Sequence, residues 1–361
     1  MNATKVVFLV NGGSGSIEAV RARGLACRLS ASVHFLFREG NRLVSLWHWH
    51  RELGRLQPDL VYVLNTALPG ALLAVWWKRR HGLPYLLDTG DAIYWMAKLS
   101  GINAGWRLPL LWFMEKLAQT HAATIVVRGT RHREYLLTQG FPRVQVVRDG
   151  YAEQGSATPE SVAALRQQLG LENRFVVGVM GSLVFSPRLN LCYGWDLVQA
   201  LTRLKDLPVT GLVIGDGNGR AWLEAKAREA GVADRLVFSG RIPYAQVPTY
   251  LRLMDVALST QTNNIPGQVR TTGKLPEYMA AERFILASRV GEAAILLPEL
   301  MLLSYSGEVD PGYPSRLADR IRQLHDHPEL CEIRHRLPDV ARRECNYETL
   351  SQTLDQIIRR L

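Results

Sequence analysis

The sequence is short of several things, and each shortage removes a class of protein. Only four cysteines occur, Cys27, Cys192, Cys331 and Cys345, in no CxxC pair and at no zinc-ligand spacing. That argues against a disulfide framework or a zinc module and suits a reduced, cytosolic chain. Long apolar runs are missing as well. The first, Val6 to Val10, stops at Asn11-Gly12-Gly13, which makes it a buried strand rather than a signal-peptide core or a membrane span. Acidic residues are outnumbered 33 to 43, for a net charge of +10. Such a surplus favours anionic partners: nucleotide phosphates, lipid headgroups or nucleic acid. No DNA- or RNA-binding motif accompanies it, so nucleic acid ranks last. His48 and His50 alternate with tryptophans and lack a third ligand, which leaves no metal site to expect there.

What is present describes a folded chain of two units. The 361 residues are 47% hydrophobic and 21% charged, enough for two separate cores. Apolar runs at Lys5–Val10, Val33–Phe37, Leu60–Leu64, Tyr85–Leu87, Thr124–Val127 and Val144–Val147 read as strands separated by helical stretches. A turn-rich linker, Ala152 to Pro159, follows. The rhythm then restarts at Phe175–Met180, with a Gly181-Ser182 turn and a helix through Leu201. Further strands are expected at Val209–Ile214, Leu236–Ser239, Val256–Ser259, Phe284–Ala287 and Met301–Ser304, and a closing amphipathic helix at Tyr347–Leu361. The expected class is α/β, two Rossmann-like doubly wound parallel sheets. The expected domains are 1–155, 156–340 and a C-terminal helix at 341–361 returning to the first domain, with ligand between the two.

One stretch concentrates the chemistry: Thr271-Thr272-Gly273-Lys274-Leu275-Pro276-Glu277-Tyr278-Met279-Ala280-Ala281-Glu282-Arg283-Phe284-Ile285-Leu286-Ala287-Ser288. A turn leads into a short helix and then into an apolar strand. Lys274 and Glu277 are three apart and share a helix face. An ammonium suits a phosphate, and a carboxylate accepts from sugar hydroxyls. A plain surface ion pair reads the same way. Gly12 and Gly13 after the first strand suit either backbone approach to a ligand or a tight turn. Gly215-Asp216-Gly217-Asn218-Gly219 lacks the βαβ spacing of a dinucleotide fingerprint.

The stretch Gly273 to Ser288 resembles the donor-site helix of retaining glycosyltransferases of family four, with the GT-B fold. Members there read Pro-x-Lys-Leu-x-Glu-Tyr-Met-Ala-Ala-Gly-x-x-Val-x-Ala-Ser. The resemblance implies that Gly13, Gly181, Ser182, Arg188, Gly215, Gly240, Gly273, Lys274 and Glu277 bind a nucleotide diphosphate-sugar. Arg188 and Lys274 would offset charge on the departing β-phosphate. Asp91, in a segment resembling the Asp-Leu-Trp turn of polysaccharide relatives, would position the acceptor, with Gly12 and His132 on the same side. Asp88 as a helix cap and Arg131-His132 on a surface helix are the plainer readings.

The chain departs from the pattern in three places. Ser182 stands for a diphosphate-binding arginine, Val269 for the first of two glutamates, and Glu282 for a glycine. Arg270, with the loop Pro266 to Gly273, is expected to take over part of the missing glutamate's role.

The implied activity is sugar transfer to an acceptor hydroxyl with anomeric retention, by front-face attack. It needs no cofactor and, lacking a well-placed Asp-x-Asp, no metal. Amphipathic tryptophan-basic segments (Trp47 to Arg51, Trp76 to His81, Trp106 to Phe113) suit either a membrane interface or a core face with a solvated edge. They point to a lipid-linked or polysaccharide acceptor on the cytoplasmic side, peripheral to the membrane, with a small natural product as the other choice. A GT-B epimerase or phosphorylase, a non-catalytic sugar-nucleotide binder and a charged scaffold are the remaining alternatives.

Overall fold

A computed structural model describes residues 4–65, 69–100, 105–152 and 157–361; part of the expected linker, 153–156, lies outside these. The strands are β1 (Lys5–Val10), β2 (Ser32–Phe37), β3 (Leu60–Leu64), β4 (Tyr85–Thr89), β5 (Thr124–Val127), β6 (Val144–Val146), β7 (Phe175–Met180), β8 (Phe185–Ser186), β9 (Leu191–Cys192), β10 (Val209–Ile214), β11 (Leu236–Gly240), β12 (Val256–Ser259), β13 (Phe284–Ser288) and β14 (Leu302–Leu303). The helices of the first half are α1 (Ile17–Ala26), α2 (Arg42–Leu56), α3 (Gly70–His81), α4 (Ile93–Ser100), α5 (Arg107–His121), α6 (Thr130–Thr138) and α7 (Pro159–Gln168). Those of the second are α8 (Trp195–Leu201), α9 (Arg220–Glu229), α10 (Val247–Leu251), α11 (Ile265–Val269), α12 (Lys274–Ala280), α13 (Ala293–Leu296), α14 (Tyr313–Asp326), α15 (Leu337–Cys345) and α16 (Tyr347–Arg359).

Two compact units result. One comprises Met1–Ala152, Ile265–Thr271 and Glu344–Leu361; the other comprises Glu153–Asn264 and Thr272–Arg343. The chain thus re-enters the first unit twice.

The first unit is a parallel sheet in the order β2-β1-β3-β4-β5-β6. Its central strands are buried along their whole length because both faces are covered, and apolar except for Asp88 and Thr89 at the end of β4. On one face Trp49 and Leu53 of α2, Ala71 and Ala74 of α3, Ala118 of α5 and Leu136 of α6 form a core with β-strand residues. The other face is covered by α1 and α16, whose Leu350, Leu354 and Ile357 join Phe8 and Tyr62. Hydrogen bonds fix α16 there: Ser351 Oγ donates to Leu25 O at 2.7 Å, and Asp355 accepts from Ser30 N at 2.9 Å. Short α11 packs on α6 and α4, where a loop was expected.

Beneath β4 lies a closed charge cluster. Asp88, fully buried, accepts from Arg21 Nη2 at 2.8 Å and Tyr62 Oη at 2.6 Å, and pairs with Arg128 Nε at 3.3 Å. Asp149 stands 3.5 Å from both guanidiniums and accepts from Thr271 Oγ1 at 2.6 Å. Two carboxylates answer two guanidiniums, which is how ionised groups stay buried. Asp88 is therefore no helix cap, as the plainer sequence reading had it. Burial alone would raise its pKa, but Arg21 and Arg128 more than offset this and hold it below the usual range.

The second unit is a parallel sheet in the order β11-β10-β7-β12-β13-β14. Where a helix was expected directly after Gly181-Ser182, the chain first makes an antiparallel β8–β9 hairpin; α8 follows it. After α12, Glu282 adopts a left-handed backbone, φ +59°, and its carboxylate meets His335. A left-handed position explains why a glycine is usual there.

Two stability predictions follow from these geometries. Asp88→Asn should cost about 3–5 kcal/mol in denaturant unfolding, because Arg21 would be left buried beside too little negative charge. Glu282→Val should cost about 1–2 kcal/mol more than Glu282→Gly, because a branched side chain resists the left-handed region.

Candidate nucleotide-sugar site

The second unit gathers its candidate residues at the carboxyl ends of adjacent parallel strands, where ligands sit in such sheets. Gly181 follows β7 with φ +152°, and its N–H donates to Ile214 O at 2.9 Å. A Cβ on Gly215 would come within 2.0 Å of Gly181 O, so the two backbones touch only because Gly215 has no side chain. Gly215 N donates in turn to Gly240 O at 2.9 Å, and Gly240 has φ +71°. Backbone packing of three strand ends is thus a sufficient reason for glycine at 215 and 240.

Lys274 opens α12, and its ammonium stands 3.6 Å from the ring centroid of Tyr193. A Cβ on Gly181 would lie 3.7 Å from Nζ, so the ammonium rests beside bare backbone. Tyr193 leaves β9, and its hydroxyl donates to Leu258 O at 3.2 Å. One turn along α12, Glu277 accepts from the Tyr244 hydroxyl. Burial pushes the Glu277 carboxyl up to about 7, with the Tyr244 hydrogen bond opposing. Buried Tyr278 locks the helix down, its hydroxyl accepting from Met180 N at 2.8 Å. Open space surrounds Gly273 on the side where a Cβ would point.

The two remaining donor-side candidates differ in setting. Ser182 is exposed. Arg188 lies on the hairpin turn and pairs with Glu308 at 2.8 Å, and Glu308 also accepts from Asn264 Nδ2 at 3.2 Å. Sequence reasoning missed Tyr193 and Tyr244. Tyr193 follows an apolar pair and precedes a left-handed glycine, Gly194 with φ +97°, but nothing in one sequence ties it to residue 274.

In the first unit, a Cβ on Gly12 would strike Ser16 Oγ at 2.2 Å, and Ser16 caps α1. Gly12 therefore serves the turn. A Cβ on Gly13 would meet nothing within 4 Å, which leaves its backbone open to a ligand. Asp91 is half-buried and pairs with Arg270 Nε at 3.4 Å. His132 departs from the surface-helix reading: it is 1% exposed. Burial and the Arg128 charge lower its pKa to about 4, with Asp88 opposing, so the ring is neutral at pH 7. Its Nδ1 has no hydrogen-bond partner among the described residues.

Residues 5–150 match the family model "Glycosyl transferase 4-like domain", and residues 174–327 match "Glycosyl transferases group 1". The chain belongs to the family-four-like glycosyltransferases. It is similar to 2-deoxystreptamine glucosyltransferase of Streptomyces kanamyceticus, 30% identical over 63% of this chain and 58% of that protein. It also resembles GDP-mannose-dependent alpha-(1-6)-phosphatidylinositol monomannoside mannosyltransferase of Mycolicibacterium smegmatis, 32% identical over 43% of this chain and 39% of that protein. The matches therefore span less than two thirds of these relatives. Among solved structures, Anabaena HepE in complex with UDP and glucose superposes with a TM-score of 0.77, at 17% identity, over 99% of this chain and 100% of that one. The fold is GT-B.

For a family-four-like glycosyltransferase, the departures from pattern now have locations. Val269, where a glutamate is usual, is a buried core residue of α11. Arg270, expected to replace part of that glutamate's role, is committed to Asp91. Glu277 supplies a pH test. Its folded pKa lies above its ordinary 4.5, so its contribution to stability is whole below 4.5 and is lost as pH rises through 7. Thermal melts from pH 4 to 8 should show Glu277→Gln falling less over that window than the parent chain. Parallel curves would mean that Glu277 titrates as an ordinary surface carboxyl.

Proposed function

We propose that this chain transfers a sugar from a nucleotide diphosphate-sugar to an acceptor hydroxyl, with retention at the anomeric carbon and without a metal. The observation that carries the reading is the Lys274 ammonium held beside Gly181, with Glu277 on the next turn of the same helix. In this reading Lys274 takes the donor's β-phosphate and offsets the charge that grows as the glycosidic bond breaks. Arg188 joins it by leaving Glu308. Glu277, as carboxylate, accepts from the donor ribose. Asp91, released from Arg270, orients the acceptor hydroxyl, and neutral His132 lies on the same side. No side chain is assigned as a nucleophile: the acceptor attacks from the face the diphosphate leaves, and the diphosphate takes the acceptor's proton. The protein contributes position and charge.

Lys274→Ala should abolish transfer and lower nucleoside diphosphate affinity while the melting curve stays cooperative. Full activity in that variant would remove the site. The product's anomeric configuration, read by NMR, should match the donor's, and turnover should survive EDTA. Donor binding should strengthen as pH rises through about 7, the range in which Glu277 ionises.

The acceptor reading is a lipid-linked or polysaccharide intermediate. No helix among the described residues is long and apolar enough to cross a membrane. Exposed Trp47, Trp76, Trp106, Trp112 and Phe113 instead lie on α2, α3 and α5 or beside them, helices that cover one face of the first sheet. Arg51 stacks on Trp47, and Arg107 on Trp106. Aromatic rings beside guanidiniums suit an anionic lipid interface. The mannosyltransferase relative, named for a phosphatidylinositol monomannoside, favours the same choice, whereas the 2-deoxystreptamine relative favours a small polyol. The full chain should float with vesicles containing phosphatidylglycerol and not with phosphatidylcholine alone, and Trp47→Ser with Trp106→Ser should abolish flotation. Absence of flotation in every case would favour the small acceptor.

A further inference from the structure

The hairpin that the sequence did not announce has a consequence at the site. The chain leaves β7 at Gly181, runs out along β8, and comes back along β9 to deliver Tyr193 next to its starting point. The Tyr193 hydroxyl is tied to Leu258 O on β12 at 3.2 Å, and Gly194, with φ +97°, turns the chain into α8. With both ends fixed, the ring face meets the Lys274 ammonium at 3.6 Å from its centroid, well inside the roughly 6 Å reach of a cation–π contact. The same ring lies 3.6 Å from a Cβ built on Gly181, so ring, ammonium and bare backbone converge on one spot.

We propose that Tyr193 is a positioning residue for the nucleoside diphosphate: its ring holds the Lys274 ammonium over Gly181, where the β-phosphate is to lie. The inference rests on the reading that Lys274 binds the donor. Its physical basis is the difference between an aromatic face and a carboxylate as a holder for a cation. Arg188 is held by Glu308, an anion that would repel a phosphate bound beside it. A ring attracts the ammonium through its quadrupole and carries no formal charge to repel the phosphate. Ser182 adds no cation of its own, so the placement of Lys274 carries more of the phosphate's charge.

The test uses the full chain, the nucleoside diphosphate that raises its melting temperature most, and the matching monophosphate, each titrated calorimetrically. Tyr193→Leu should weaken the diphosphate about tenfold and leave the monophosphate within about twofold. Tyr193→Phe, which keeps the ring and loses the Leu258 hydrogen bond, should stay within about twofold for both. In a Lys274→Met background, Tyr193→Leu should add nothing. Should Tyr193→Leu lose its cooperative melt, Tyr193→Met takes its place, an unbranched side chain that adapts to the space without a ring. Equal weakening of both nucleotides, a Phe variant as weak as the Leu variant, or an undiminished effect in the Lys274→Met background would each overturn the proposal. Unchanged diphosphate affinity in Lys274→Met alone would instead overturn the functional reading on which it rests.

Discussion

The close approach of three groups at the end of β7 is the constraint on which the candidate site depends. Gly181 offers backbone without a side chain, Gly215 lets the neighbouring strand end press against it, and Lys274 brings an ammonium to the space that remains. Each step requires the one before it. A side chain at 215 would push the Gly181 turn outward, and a displaced turn would separate the glycine from the cation. The helix that carries Lys274 is held by Tyr278, whose hydroxyl takes the Met180 amide from the edge of the same turn. Strand packing therefore fixes the helix that carries the cation, and the Tyr193 ring meets the ammonium at its end.

A second constraint organises the first unit. Buried Asp88 and Arg21 and half-buried Asp149 and Arg128 are mutually compensated, which makes the buried pair costly to disturb singly. Through Thr271 this cluster grips the segment Ile265–Thr271, and Arg270 of that segment reaches Asp91. The segment Ile265–Thr271 thus belongs physically to the unit that carries the acceptor-side candidates. The position where the family usually has a donor-side glutamate has become Val269, part of an apolar helix packed on α6 and α4.

Much of the architecture was legible because parallel strands covered on both faces read as unbroken apolar runs. β1, β3, β5, β7, β10 and β12 have the limits their apolar runs suggested. Other features lacked such a signal. The β8–β9 hairpin has two-residue strands of mixed exposure, too short for any periodicity. Helix α11 contains Pro266 and Gly267, which read as a loop. His132, at the start of a polar helix, looked solvent-facing and is buried. Glu282 made no sense until its backbone angle was known. Within the site, Lys274 and Glu277 were visible as a spaced pair; their holders, Tyr193 and Tyr244, lie 81 and 33 residues away in sequence and become neighbours only through the fold.

The most direct measurement of the central claim is a crystal structure of the full chain with a nucleoside diphosphate bound. A β-phosphate oxygen should lie within hydrogen-bond distance of Lys274 Nζ, over Gly181, with Glu277 on the ribose hydroxyls. A nucleotide seated elsewhere, with Lys274 still resting on Tyr193 and no phosphate beside it, would contradict the account.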